Sequence, residues 1–302
     1  MTKIKVFTAF SGYDSQCMAL ERLCRSHADI EYELVGWSEI DPKAIVSHNI
    51  AFPESADRNY GDISKIDWAT VPDFNLFTLS SPCQSFSAAG KREGGEEGSG
   101  TTSSLLWECR RAIEAKRPQI CFFENVKGLV DKKMYHTFED WQLTMCKLGY
   151  KNSWKVLNAA DYGIPQHRER VFMVSTRIDD CDDRNEFEFP KPLEHIKKPV
   201  ELLENNVDEK YYLSNEECET YLDLLENSRP GYEVSTNFRW RKKSWMTDGT
   251  CTKQFLTPVC ADGSISTLMA SNTGTASSMY SVGNRPSPGV FEIKVTTYNK
   301  QL

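Results

Sequence analysis

Pro82-Cys83-Gln84 stands just beyond a short, largely apolar, β-prone run at residues 74–79. The run reads as an interior strand that stops at Ser80-Ser81-Pro82. Ligands of open α/β sheets bind outside the carboxyl ends of strands, so a thiol there is placed for nucleophilic chemistry. A cysteine taken alone is more often a small apolar filler, but three further clusters overturn that reading. Glu124-Asn125-Val126 follows directly on a second apolar run, 119–123. A glutamate at a strand end beside an apolar wall can hold its proton near neutrality and serve as an acid facing the nucleophile. In Gln166-His167-Arg168-Glu169-Arg170, two arginines two residues apart point the same way if extended. They would offer a bidentate donor face to a carbonyl or phosphate oxygen. A salt bridge to Glu169 or another acid is the alternative for one of them. Finally, the loop from Ser85 to Thr102 carries Gly90, Gly94, Gly95, Gly98 and Gly100 with Lys91 and Arg92. It reads as a lid beside the nucleophile whose basic pair could grip phosphates.

These residues need a frame. Apolar runs and helical spacing alternate through the first 175 residues. Strands are expected at 4–10, 33–37, 74–79, 119–123 and 171–175. Helices are expected at 14–25, from Asp41-Pro42 onward, from a Ser103/Ser104 cap to about residue 115, and at 135–148. This order predicts a largely parallel sheet covered by helices on both faces. At the first strand-to-helix turn, Phe10-Ser11-Gly12-Tyr13-Asp14-Ser15, a glycine lets backbone amides approach a ligand. Glu39 and Asp41 follow the second strand, where a carboxylate commonly meets ribose hydroxyls. Asp62 in Gly61-Asp62-Ile63 is a candidate for an adenine edge. Pro190 and Pro192 mark a change of register. Residues 1–190 are read as one domain and 191–302 as a smaller, irregular, β-rich one.

The chain has 302 residues, a net charge of −7 and ten cysteines without a Cys-x-x-Cys pair. Scattered thiols argue for a reducing compartment rather than a disulfide framework or zinc site. No apolar stretch is long enough to span a membrane, and the amino terminus runs straight into a strand, so neither an anchor nor a signal peptide is expected. The acidic total hides a late basic region. Arg229, Arg239, Arg241, Lys242, Lys243, Lys253 and Arg285 face only Glu233, Asp248 and Asp262 over 228–290, and Phe238, Trp240 and Trp245 interleave them. Such a surface suits phosphates and bases.

The motifs stand together in one order: Phe10-Ser11-Gly12, Glu39, Gly61-Asp62-Ile63, Ser81-Pro82-Cys83-Gln84-Ser85-Phe86-Ser87, Glu124-Asn125-Val126-Lys127 and Ile164 to Arg170. Over roughly residues 4–176 the chain resembles the DNA cytosine-5 methyltransferases, most closely the bacterial and phage type. The resemblance implies a Rossmann-like S-adenosylmethionine-dependent methyltransferase sheet with a small β-rich target-recognition domain. It implies that Cys83 adds to C6 of a flipped cytosine, with Glu124 at N3, Asn125 supporting the loop or base, and Arg170 with Arg168 at O2. S-adenosylmethionine would lie against Phe10, Ser11, Gly12, Glu39, Ile40, Asp62, Ile63, Pro82 and Leu105. Double-stranded DNA would meet Gln84, Ser87, Lys91, Arg92, Arg241, Lys242 and Lys243. The chemistry needs no metal, and a cytoplasmic enzyme of restriction–modification type is expected. Two departures stand out. Asp14 and Ser15 occupy positions where the family usually has glycine, and the family's carboxyl-terminal blocks are not found before Leu302. The second departure leaves open a split enzyme needing a carboxyl-terminal partner chain, or a silent DNA-binding subunit. The tRNA-directed branch of the same family is the remaining alternative.

Overall fold

A computed structural model describes residues 1–82, 98–164, 166–180, 187–193 and the pair 265–266. Contacts divide the chain into two units, Met1–Leu157 with Glu169–Pro190, and Asn158–Arg168 with Lys191–Leu302. The short segment Asn158–Arg168 groups with the second unit, although the sequence reading puts all of 1–190 in one domain.

The first unit is built on one six-stranded sheet, in the order β2-β1-β3-β4-β7-β5. β1 (Thr2–Ala9), β2 (Ile30–Ser38), β3 (Leu76–Leu79) and β4 (Ile120–Val126) run parallel. β7 (Glu169–Arg177) is antiparallel to β4, so the sheet is largely parallel, as expected, but mixed. β5 (Tyr150–Asn158), at the edge, was not anticipated. Only Tyr150 in it is fully buried, and Lys151, Trp154 and Lys155 are exposed, so no clean alternation announces the strand. β4 runs further than expected. Glu124, Asn125 and Val126 belong to the strand and pair with Phe172, Val171 and Arg170 of β7.

Helices cover both faces. α1 (Ser15–Ser26) and α2 (Pro42–Ala51) share one side, where Val6, Cys17, Leu34, Trp37 and Phe52 form a cluster flanked by Leu20 and Ile45. α3 (Glu108–Lys116) and α4 (Tyr135–Lys147) lie on the other, against Phe7, Val35, Phe77, Leu79 and Phe123. Asp14 and Asp41 accept hydrogen bonds from the first amides of α1 and α2, and Pro42 opens α2. The third helix starts differently from expectation. Thr102–Trp107 is a 3-10 segment, and neither Ser103 nor Ser104 caps it. Their hydroxyls instead donate to the carbonyls of Pro82 and Thr101.

One irregularity shapes the site end of the sheet. Val6 pairs with Leu34 but Phe7 pairs with Gly36, so Val35 is an extra residue. The bulge puts Val35 and Gly36 both toward the α3/α4 face and returns Trp37 to the α1/α2 face. Gly36 is required there: a Cβ would lie 2.7 Å from Tyr60 Cε2 and 2.8 Å from Phe7 Cε2.

In the second unit, β6 (Gln166–His167) pairs in parallel with β8 (Ile265–Ser266). Asn158 Oδ1 accepts from the amides of Ala160 and Arg168, and Leu193 N–H donates to the Asp161 carbonyl.

Candidate functional site

The turn after β1 is unusual in its backbone. Phe10, Gly12 and Asp14 have φ of 56°, 59° and 65°, alternating left-handed residues across five positions. A Cβ on Gly12 would meet nothing within 4 Å, so its glycine serves the conformation and leaves the turn's outer side open to close approach. Ser11 N–H donates to the Ser38 carbonyl, while the buried Ser11 hydroxyl has no protein partner among the described residues.

Glu39 closes this turn from the end of β2. Its Oε2 accepts from Gly12 N–H at 2.9 Å, and its Oε1 accepts from the amides of Ile40 and Asp41 at 2.7 and 2.9 Å. A carboxylate offers about four acceptor sites, so these bonds leave room at Oε2 for one hydroxyl. Asn59 holds Glu39 in place: its Oδ1 accepts from the amides of Glu39 and Gly61, and its Nδ2 donates to the Glu39 carbonyl. Ser38 Oγ donates to the Gly61 carbonyl at 2.6 Å, joining the same two loops. Sequence reasoning missed Asn59, although its place before Tyr60-Gly61 marks a turn.

Among the other residues expected around a nucleoside, Ile40 is exposed beside Glu39, and Pro82 and Leu105 are half-buried. Ile63 is buried in the core. Asp62 caps its own 3-10 turn, accepting from Ser64 N–H and Oγ at 3.0 and 2.7 Å. Those hydrogen bonds hold its carboxyl below the usual carboxylate range, and Lys65 adds to the effect.

The second half of the site lies where β3, β4 and β7 meet. β3 and β4 are in register with Leu79 opposite Phe123, so Ser80 and Ser81 leave the sheet beside Glu124 and Asn125. Asn125 is 2% exposed and its Nδ2 donates to both the carbonyl and the hydroxyl of Ser81, at 3.1 and 3.2 Å. Ser103 Oγ donates to the Pro82 carbonyl at 2.8 Å, and Gln16 Nε2 to Ser80 Oγ at 3.2 Å. Three side chains from α1, β4 and the 3-10 segment therefore tie down the residues that immediately precede Cys83. Gln16 and Ser103 in this role were not foreseen.

Glu124 does not face an apolar wall alone. Its Oε1 lies 3.1 Å from Arg170 Nε, and both side chains are largely buried, 24% and 17% exposed. The acid that satisfies Arg170 is thus Glu124, while Glu169 pairs with Lys127 at 2.7 Å. Arg168 falls in the second unit and Arg170 in the first, so the two do not share one strand. Cys83, Gln84, Ser87, Lys91, Arg92, Arg241, Lys242 and Lys243 lie outside the described residues.

The family model for C-5 cytosine-specific DNA methylases matches residues 4–275. The chain belongs to that family. This makes it an enzyme, a DNA cytosine-5 methyltransferase, on a Rossmann-like α/β sheet. It is 36% identical over 263 residues to the type II methyltransferase M2.ScrFI of Lactococcus lactis subsp. cremoris, covering 70% of this chain and 71% of that protein. To the orphan methyltransferase M.Rho11sI of Bacillus phage rho11s it is 32% identical over 275 residues, covering 82% of this chain and 53% of the relative. In fold it is similar to the Entamoeba histolytica methyltransferase EhMeth, with a TM-score of 0.58 at 20% identity over 74% of this chain and 67% of that one. Among the described residues, no helix of this methylase is long and apolar enough to cross a membrane.

Proposed function

We propose that this methylase transfers a methyl group from S-adenosylmethionine to C5 of a cytosine flipped out of double-stranded DNA, through a covalent bond from Cys83 to C6. The observation that carries the reading is the pairing of Glu124 with Arg170 at 3.1 Å beside the point where Ser81 leads to Cys83. Cytosine C5 is a weak nucleophile. Addition of the Cys83 thiolate to C6 pushes an electron pair into the ring and makes C5 enamine-like, dividing one hard step into two easier ones. Glu124 hydrogen-bonds or protonates N3, where that charge collects. Arg170, joined by Arg168, donates to O2. Asn125 holds the root of the Cys83 loop through Ser81 and so keeps the thiol in line with C6. Once C5 is methylated, loss of its proton expels the thiolate and restores the aromatic ring.

The turn fits the cofactor. An open glycine at Gly12, a Ser11 hydroxyl without a partner among the described residues and a Glu39 carboxylate with one acceptor site to spare suit a nucleoside with free ribose hydroxyls. Phe10, Ile40, Asp62, Ile63, Pro82 and Leu105 complete the expected lining. When bound, S-adenosylmethionine supplies an electrophilic methyl group. Cytosine C6 is shielded within stacked DNA, so the target base leaves the helix. Gln84, Ser87, Lys91 and Arg92 close over it, and Arg241, Lys242 and Lys243 contact phosphates. We place this work in the cytoplasm of a bacterial or phage-infected cell.

The test is transfer of labelled methyl from S-adenosylmethionine to unmodified bacterial DNA, with trapping on a 5-fluorocytosine duplex. The expected result is a covalent adduct that disappears in Cys83→Ser while DNA binding persists. An adduct surviving that substitution, or transfer to tRNA transcripts without transfer to DNA, overturns the reading.

A further inference from the structure

Asp14 sits where only a few residue types are tolerated. At φ 65° a glycine would fit without strain, so a carboxylate there needs another reason. Its side chain is fully buried, and three elements converge on it. Oδ1 accepts from Cys17 N–H at 3.2 Å and caps α1. Oδ2 accepts from the Thr8 hydroxyl on β1 at 2.7 Å and lies 3.5 Å from His48 Nε2 on α2. His48 is itself completely buried and stacks on Trp37 of β2, with ring centroids 3.7 Å apart at 19°. The first strand, both helices of one face and the bulged strand thus meet at the last left-handed residue of the turn. Glu39 holds that turn through Gly12 N–H, and the buried Asp14 carboxylate holds its last residue from within the fold.

We infer that Asp14, with Thr8 and His48, is a positioning device that presets the 10–14 turn for S-adenosylmethionine. The inference rests on the reading that this turn receives the cofactor. A loop ordered in advance loses less conformational freedom on binding, so removing the buried clamp weakens cofactor affinity and leaves the chemical step alone. A merely structural role would lower thermal stability and the active fraction, and would leave the KM for the cofactor unchanged.

The experiment compares the full chain with Asp14→Gly, Asp14→Asn and His48→Phe. Steady-state methyl transfer gives kcat and both KM values, and calorimetry gives S-adenosylmethionine binding. Asp14→Gly keeps the backbone conformation and loses the carboxylate. It is expected to raise the KM for S-adenosylmethionine about tenfold or more, as suits loss of charged hydrogen bonds. The kcat at saturating cofactor and the KM for DNA should stay within about twofold. Asp14→Asn keeps the Cys17 acceptor and should restore part of the loss. His48→Phe keeps an aromatic ring to stack on Trp37 and removes both ring nitrogens, of which Nε2 faces Asp14, so it carries the test if Asp14→Gly does not fold. An unchanged cofactor KM in Asp14→Gly, or in His48→Phe where Asp14→Gly fails, overturns the positioning role alone. Absence of S-adenosylmethionine binding by the unaltered chain overturns the cofactor reading and this inference with it.

Discussion

Replacing Asn125 by alanine tests how the root of the Cys83 loop is held. The side chain is almost inaccessible, and truncation removes the donor shared by Ser81 O and Oγ and the acceptor for Val126 N–H. Two neutral hydrogen bonds contribute about 1 kcal/mol each, and a buried carbonyl left without a donor costs about 1–3 kcal/mol more. The sum is about 3–5 kcal/mol, of which water entering the vacated space offsets a part. With a urea slope of about 3 kcal/mol per M, a net loss of about 3 kcal/mol lowers the unfolding midpoint by about 1 M. The kinetic effect is larger in kind. Ser81 stands two residues ahead of Cys83, and misplacing a reacting group by about 1 Å can cost about a hundredfold in rate. Single-turnover methyl transfer should therefore fall about a hundredfold while S-adenosylmethionine binding stays within about twofold. The isosteric Asn125→Asp, which removes the donors without removing volume, should be at least as damaging. A midpoint within about 0.2 M of the parent and a rate within about threefold, in both variants, would refute the reasoning.

Gly36→Ala drives a methyl group into ring atoms of Phe7 and Tyr60, and Phe7 is already hemmed in by Trp68, Phe74 and Phe77; overpacking of about 2–3 kcal/mol should appear in denaturant melts. Burial pushes the thiols of Cys17, Cys109 and Cys121 up, with Asp14 adding to the shift at Cys17. In the native protein these three should resist a disulfide reagent that labels the exposed Cys146. Because the native state keeps those protons while the unfolded chain releases them above about pH 8.5, stability should fall as pH rises past that value. Each thiol contributes about 1.4 kcal/mol per pH unit, and a urea midpoint unchanged from pH 7 to about 9.5 would contradict this. A double-mutant cycle of Glu124→Gln and Arg170→Ala should return a coupling of about 1 kcal/mol in folding stability, and additive effects would show that the observed pair is energetically idle.

Local signals carried much of the first unit. The helix starts at Asp14 and at Asp41-Pro42 were legible because capping and proline chemistry act within a few residues. The order of strands was legible from short apolar runs, and the order of motifs named the family. What escaped depends on distant partners. The strand character of Glu124 and Asn125 arises from β7, more than forty residues later, and apolar patterning ends at Phe123. β5 is an edge strand whose polar side chains need no alternation. Ser103 looked like a helix cap, yet its hydroxyl tethers Pro82 across twenty residues, and Asn59 clamps two loops that only the folded sheet brings together. The pairing of Arg170 with Glu124 was one of several open choices, since any acid in reach would have satisfied the guanidinium.

The extra residue at Val35 makes β2 a phase-sensitive element. Pairing before it and after it obeys the same alternation, but the two halves are offset by one position. A relative whose β2 lacked the insertion would have equivalent sequence on either side and the opposite facing beyond the join. Exchanging segments between such relatives at a crossover inside residues 34–37 would therefore invert Trp37, strand His48 without its stacking surface and turn Ser38 away from Gly61. Crossovers placed before Ile30 or after the Asn59 clamp would carry the offset intact. Recombination among these enzymes should thus be tolerated by blocks whose borders avoid the bulge, and the strand should travel with the loop it feeds as one heritable piece.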